Sequence, residues 1–215
     1  MYSIQFDVVK PNDQKGDCAS CTLRERIAQL LVLAFENGSG LSRICQAEGE
    51  ELRRQLHLLF QTAIAMQAAA NQPLLSAIKD TQPIGVAIFT EPESLFPLWA
   101  QVRSFIQISF GVSPLVAWRM WKNSKILKKH HPPDPHYYLT LLGVHPDFQK
   151  MGIARALLDE IHARSEAHPI STGVYLETAK SKNVTLYQHF GYRLMAHLEL
   201  NGIETFIMFR PNRNE

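Results

Sequence analysis

The stretch Gln149-Lys150-Met151-Gly152-Ile153-Ala154 carries the clearest chemical pattern in this chain. It lies between an apolar run, Tyr138 to Val144, and an amphipathic run, Arg155 to Ala163. That order reads as strand, glycine-bearing loop, helix. A helix N-terminus presents unpaired N–H groups and the positive end of the helix dipole, so the loop is a ready cradle for a phosphate or pyrophosphate. Gly152 lets the backbone approach an oxygen-rich group because no Cβ intervenes, and the small Ala154 keeps the approach clear. The amides of Lys150, Gly152, Ala154 and Arg155 are the expected donors. The plainer alternative is that Gly152 only opens the helix. Neither Gly-x-Gly-x-x-Gly nor the P-loop Gly-Lys-Ser/Thr is present, which argues against a dinucleotide or nucleoside triphosphate site.

Further along the chain, Asn183 and Tyr187 are four residues apart and share one helix face. A tyrosine hydroxyl can give a proton to a leaving group, a general-acid task. Asn183 could equally cap its helix and Tyr187 could serve packing. Glu177, His145 and His189 are candidate bases. His130, His131 and His136 sit in a proline-rich connector without metal-ligand spacing. Cys18-x-x-Cys21 has no second ligand pair, and Cys45 stands alone. No metal is expected, and the thiols read as reduced and incidental, which suits the cytoplasm.

These residues need a scaffold, and the composition allows one. The 215 residues are 46% hydrophobic and 20% charged, as in an ordinary globular protein. A net charge of +2 is too mild to argue for nucleic acid or a membrane surface. The run Pro97 to Trp118 holds Gln101, Arg103, Gln107, Gly111 and Pro114, so it reads as a buried helix rather than a span.

Periodicity predicts a strand over Ser3–Val9 and a helix over Thr22–Glu36 with Thr22 and Glu25 as a capping box. A second helical region covers Ser42–Gln67. Strands follow at Pro73–Lys79 and Pro83–Thr90, then a helical block over Pro97–Lys129 broken near Gly111–Pro114. After the connector come a strand (His136–Val144), a helix (Arg155–His168), a strand (Gly173–Thr178), a short helix (Asn183–Phe190) and two strands joined by Asn201-Gly202. The expected fold is α/β: a central mixed sheet flanked by helices, with a helical insertion between the third and fourth strands.

The segments YYLTLLGVHPDFQKMGIARALL (Tyr137–Leu158) and YLETAKSKNVTLYQHFGY (Tyr175–Tyr192) resemble the GCN5-related N-acetyltransferase superfamily, most closely the puromycin N-acetyltransferase type. The resemblance covers roughly Pro83 to Pro211, and it implies one such domain over residues 1–215. It implies acetyl-CoA as cosubstrate, held by Leu142, Gly143, Val144, Gln149, Lys150, Met151, Gly152, Ile153, Ala154, Arg155 and Asn183. Tyr187 would be the general acid and Glu177 the base or an amine ligand. Gly143 is expected in a bulged strand approaching the ligand. Trp99, Phe105, Phe110, Trp118 and Trp121 are expected as core, with an acceptor-pocket role the alternative. The implied reaction is acetyl transfer to a small amine by direct attack in a ternary complex. The other readings are a protein amine acceptor, another acyl-CoA, or a CoA-binding module without catalysis. No nucleic-acid or membrane partner is expected, and the chain would be a monomer or homodimer.

Overall fold

The computed structural model describes residues 5–9 and 18–213, with side chains from Leu23 onward except that of Ser39. The elements in chain order are β1 (Gln5–Val9), α1 (Cys18–Phe35), α2 (Ser39–Cys45), α3 (Gly49–Ala69), β2 (Leu74–Lys79), β3 (Gln82–Thr90), α4 (Leu98–Gly111) and α5 (Pro114–Lys128). Then follow β4 (Tyr137–Val144), a 3-10 turn (Pro146–Phe148), α6 (Ile153–Ala167), β5 (Gly173–Thr178), α7 (Ser181–His189), β6 (Arg193–Leu200) and β7 (Ile203–Pro211).

The seven strands form one sheet in the order β1-β2-β3-β4-β5-β7-β6. Every neighbouring pair is antiparallel except β4 and β5. This is the expected mixed sheet, with α4 and α5 inserted between the third and fourth strands. Each face of the sheet carries its own core. On one side Ile153, Leu157, Leu158 and Ile161 of α6 pack over Leu139, Val174 and Leu176. On the other side α1 and α3 supply Ile27, Leu31, Leu56 and Phe60 against Val86 and Ile88.

Three local expectations are corrected. The first helix starts at Cys18, so Thr22 lies inside it rather than at its N-cap. Glu25 instead accepts from Gln29 and Gln61 at 3.0 and 2.8 Å and lies 2.7 Å from His57 Nε2. The second helical region splits into α2 and α3, because Gln46 and Gly49 take positive φ values of 53° and 59°. The bulge in β4 is not at Gly143. Leu139 pairs with Phe89 and Leu141 with Ile88, which leaves Thr140 as the extra residue. Residues 3 and 4 of the expected first strand, and the thiols of Cys18 and Cys21, lie outside the described residues. Cys45 is buried, and desolvation pushes its thiol up to about 11.

Candidate active site

The bulge sets up the site. β4 and β5 pair only over Tyr137–Leu139 and Val174–Leu176, and no pairing continues toward Val144. Beyond the bulge the strands part, and no strand among the described residues pairs with the edge of β4 from Thr140 to Val144 on its β5 side. β3 holds the other edge, with Leu142, Gly143 and Val144 opposite Ala87, Val86 and Gly85. A cavity of about 1690 Å³ opens along this gap.

Leu142, Gly143, Val144, Gln149, Lys150, Gly152, Ile153, Ala154 and Arg155 all line that cavity. Met151 does not; its side chain is 54% exposed. The first hydrogen bond at the start of α6 runs from the Ala156 amide to the Gly152 carbonyl at 3.0 Å. The amides of Ile153, Ala154 and Arg155 are therefore left without an intrahelical acceptor. Gly152 caps the helix at φ 83°, a conformation that disfavours any residue with a Cβ, and a Cβ built there meets no atom within 4 Å. Its outward face is open space on the cavity wall, as a pyrophosphate cradle requires. Lys150 also has a positive φ of 65°. The Gln149 side-chain Nε2 donates to the Val144 carbonyl at 3.3 Å and ties the loop to the end of β4. A CoA pyrophosphate fits this donor set, and an extended pantetheine fits the open edge of β4.

Gly143 has a different reason for being glycine from the one expected. A Cβ there would lie 2.8 Å from Leu31 Cδ2 and 3.4 Å from Phe35 Cε2. The missing side chain lets α1 settle on the sheet.

Glu177, Asn183 and Tyr187 line the same cavity. Tyr138 Oη donates to Glu177 Oε2 at 2.7 Å. Among the described residues Glu177 Oε1 is buried without a hydrogen-bond partner. Burial raises the Glu177 carboxyl above the usual range, and the Tyr138 hydrogen bond works against that rise. The nearby Tyr175 hydroxyl faces the same carboxylate and also works against that rise.

Facing Oε1 at 3.9 Å is His131 Nε2. The connector holds this ring in place. His136 Nδ1 donates to the Asp134 carbonyl at 2.7 Å, and His131 Nδ1 lies 3.0 Å from His136 Nε2. Burial holds the His131 ring at about 4, so it stays neutral near pH 7.

Asn183 does not cap α7; Lys180 occupies that position. Asn183 instead donates to Thr178 Oγ1 at 3.1 Å. Tyr187 is 8% exposed and packs on Tyr192 with ring centroids 5.5 Å apart. Desolvation pushes its phenol up to about 12, so it remains a proton donor at neutral pH.

The other candidate bases fall away from the site, since neither His145 nor His189 lines the cavity. His145 accepts from the Asp147 amide at 3.3 Å instead. The five aromatic residues of the insertion also lie elsewhere. Trp99, Phe105, Phe110, Trp118 and Trp121 are all exposed, and neither the core nor the cavity takes them in. The opposite side of α5 lines the cavity, through Met120, Asn123, Ser124 and Leu127. The β6–β7 turn closes this end. Arg43 of α2 donates to the Gly202 carbonyl at 2.8 Å, and Asn201 donates to Asn123 Oδ1 at 2.8 Å.

Sequence reasoning passed over Tyr138, Tyr175 and His131. Strand alternation could have found one of them, because Tyr175 and Glu177 are two apart on β5 and share a face. The parallel register that sets Tyr138 beside Tyr175 leaves no local sequence signal. Among the described residues no group of three or more His, Cys, Asp or Glu is arranged to hold a metal ion. No helix among them is long and apolar enough to cross a membrane.

Residues 120–194 match the family described as an acetyltransferase (GNAT) domain. The chain is similar over 100% of its length to a solved histone acetyltransferase HPA2-related protein of Corynebacterium glutamicum, with 19% identity, TM-score 0.69 and 99% of that chain covered. An arylalkylamine N-acetyltransferase 2 of Aedes aegypti matches at 14% identity and TM-score 0.64, over 99% of this chain and 100% of that one. The NatC complex bound to Gag peptide and CoA matches at 13% identity and TM-score 0.54, over 98% and 99%.

Proposed function

With residues 120–194 matching the GNAT acetyltransferase domain and the whole chain taking its fold, we propose that this protein is an acetyl-CoA-dependent N-acetyltransferase. One observation carries the reading. The donor-rich start of α6, the unpaired edge of β4, the Glu177 carboxylate and the Tyr187 phenol all face one cavity. The α6 amides and Gly152 hold the pyrophosphate, and the β4 edge holds the pantetheine. CoA supplies the activated acetyl thioester. A backbone N–H of β4 near Leu142–Val144 stabilises the oxyanion that forms on attack. Glu177 takes the proton that the attacking amine loses, and Tyr187 gives one to the leaving thiolate. Cys45 has no place in this scheme, since it is a buried, protonated thiol of the α1–α3 core.

The closed acceptor end favours a small amine over a protein. The β6–β7 turn is tied to both α2 and α5, which narrows the route a polypeptide would need. The NatC structure, solved with a peptide, keeps a peptide amine as the second reading. The three solved structures named above include no puromycin N-acetyltransferase, so that finer resemblance rests on the sequence motifs. The test is calorimetry with CoA followed by a screen of small amines and peptides with acetyl-CoA. CoA binding with acetylated small amines supports the proposal. Failure to bind CoA removes it, and tight binding with no acceptor supports the non-catalytic module instead.

A further inference from the structure

Helix α4 is amphipathic in the reverse of the usual sense. Its fully buried pair is small or polar, Ala100 and Ser104, and only Ile108 brings a large apolar side chain partly into the core. The residues turned to solvent are Leu98, Trp99, Val102, Phe105, Ile106 and Phe110. Their spacing of three and four makes one continuous stripe along the helix. Leu95 extends it at one end, 87% exposed, and Phe110 closes the other at 89%. Helix α5 continues the surface with Leu115, Trp118 and Trp121, all exposed. Monomeric proteins rarely expose contiguous apolar surface on this scale without a partner.

The charge around the stripe identifies the partner. From Leu95 to Pro133 there is no Asp or Glu, but there are Arg103, Arg119, Lys122, Lys125, Lys128 and Lys129. The rest of the chain carries sixteen cations against twenty anions. None of the six forms an ion pair among the described residues. Lys122 lies 5.2 Å over the Trp118 ring and Lys125 5.7 Å over that of Trp121, ammonium groups bordering aromatic faces.

We infer that α4 and α5 dock on an anionic lipid surface, the apolar stripe entering the headgroup boundary and the cations meeting lipid phosphates. Exposed Trp, Phe and Leu beside unpaired Lys and Arg is the composition of an interfacial amphipathic element. A second copy of the chain fits less well, because two-fold pairing through this face would bring the same cations together. The weak net charge of the whole chain hides this surface; the excess is concentrated in one insertion. The opposite side of α5 lines the cavity, so docking sets the cavity beside the lipid surface. The inference does not depend on acetyl transfer.

The test is flotation of the full chain with vesicles of phosphatidylcholine alone or with about one-third phosphatidylglycerol. The expected result is binding to the anionic vesicles only, released by salt. Two double variants, Leu98→Ser/Phe110→Ser and Lys122→Glu/Lys125→Glu, should each lower the bound fraction about fivefold or more. Both change exposed residues, so melting temperature should hold. Absence of flotation, or equal binding to neutral vesicles, overturns the inference. So does a dimer in light scattering that the Leu98→Ser/Phe110→Ser variant dissociates, because a second copy would then cover the stripe.

Discussion

The Tyr138 hydroxyl donates to Glu177 at 2.7 Å, from β4 to β5, across the one parallel strand pair of the sheet. The bond holds the carboxylate at the point where the two strands part. It also works against the burial that raises the Glu177 carboxyl above the usual range.

A pH dependence follows with a definite sign. As a base Glu177 works only when ionised, so kcat/KM falls as pH drops through its pKa, which lies above the ordinary 4.5. Tyr138→Phe removes a lowering influence, so the acid limb of the pH–rate profile moves to higher pH. Glu177→Gln should cost about 10²- to 10⁴-fold in rate and abolish that limb. A limb unchanged in Glu177→Gln would show that another group is the base. A raised carboxyl stabilises the fold below pH 4.5 and loses that contribution as pH rises through its folded value. Glu177→Gln should therefore melt higher than the parent at neutral pH.

Tyr187→Phe keeps the ring against Tyr192 and removes only the hydroxyl. The expected outcome is a fall in kcat of about 10²-fold with little change in the KM for acetyl-CoA, since the group acts on the leaving thiolate. With its phenol held at about 12, Tyr187 contributes no alkaline limb in the ordinary assay range. Steady-state kinetics with the best acceptor decides it, and a variant at full rate would mean that Tyr187 serves packing alone.

Patterns local in sequence were readable. The Gln149–Ala154 loop, the Asn201-Gly202 turn (φ 53° and 77°) and the insertion between β3 and β4 follow from short-range spacing and turn chemistry. What was not readable depends on partners distant in sequence. Gly143 looks like a ligand-approach glycine until Leu31 and Phe35 are seen above it. His131 looks incidental until the chain brings it to Glu177, 46 residues on. The insertion's aromatic residues suggested a buried helix, because hydrophobicity alone does not say which face meets the protein.

The two glycines of the site should separate by experiment. Gly152→Val places a side chain at φ 83°, a strain of about 1–2 kcal/mol, and projects it into the cradle. CoA affinity by calorimetry should fall about tenfold or more, because the backbone can no longer approach the pyrophosphate. Gly143→Val crowds Leu31 and Phe35 instead and should cost about 1–3 kcal/mol of stability. Its folded fraction should bind CoA nearly as well as the parent. The reverse pattern would exchange the two assignments.

Acid should loosen the fold in two steps. His162 is buried, lies 3.0 Å from the Tyr192 hydroxyl, and is held at about 4 by desolvation and by Arg210. His131 is held at about 4 as well. A depressed pKa gives stability that is present above the unfolded value of 6.5 and lost as pH falls through the folded one. Loss between pH 6.5 and 4.5 therefore belongs largely to these two rings. Below 4.5 a carboxylate joins them, because Arg210, 2.7 Å from Glu166, holds that group below its usual range. His162→Phe removes one titrating ring, so its melting temperature should drop less between pH 7 and pH 5 than the parent's. An equal drop in parent and variant would mean that His162 charges without cost.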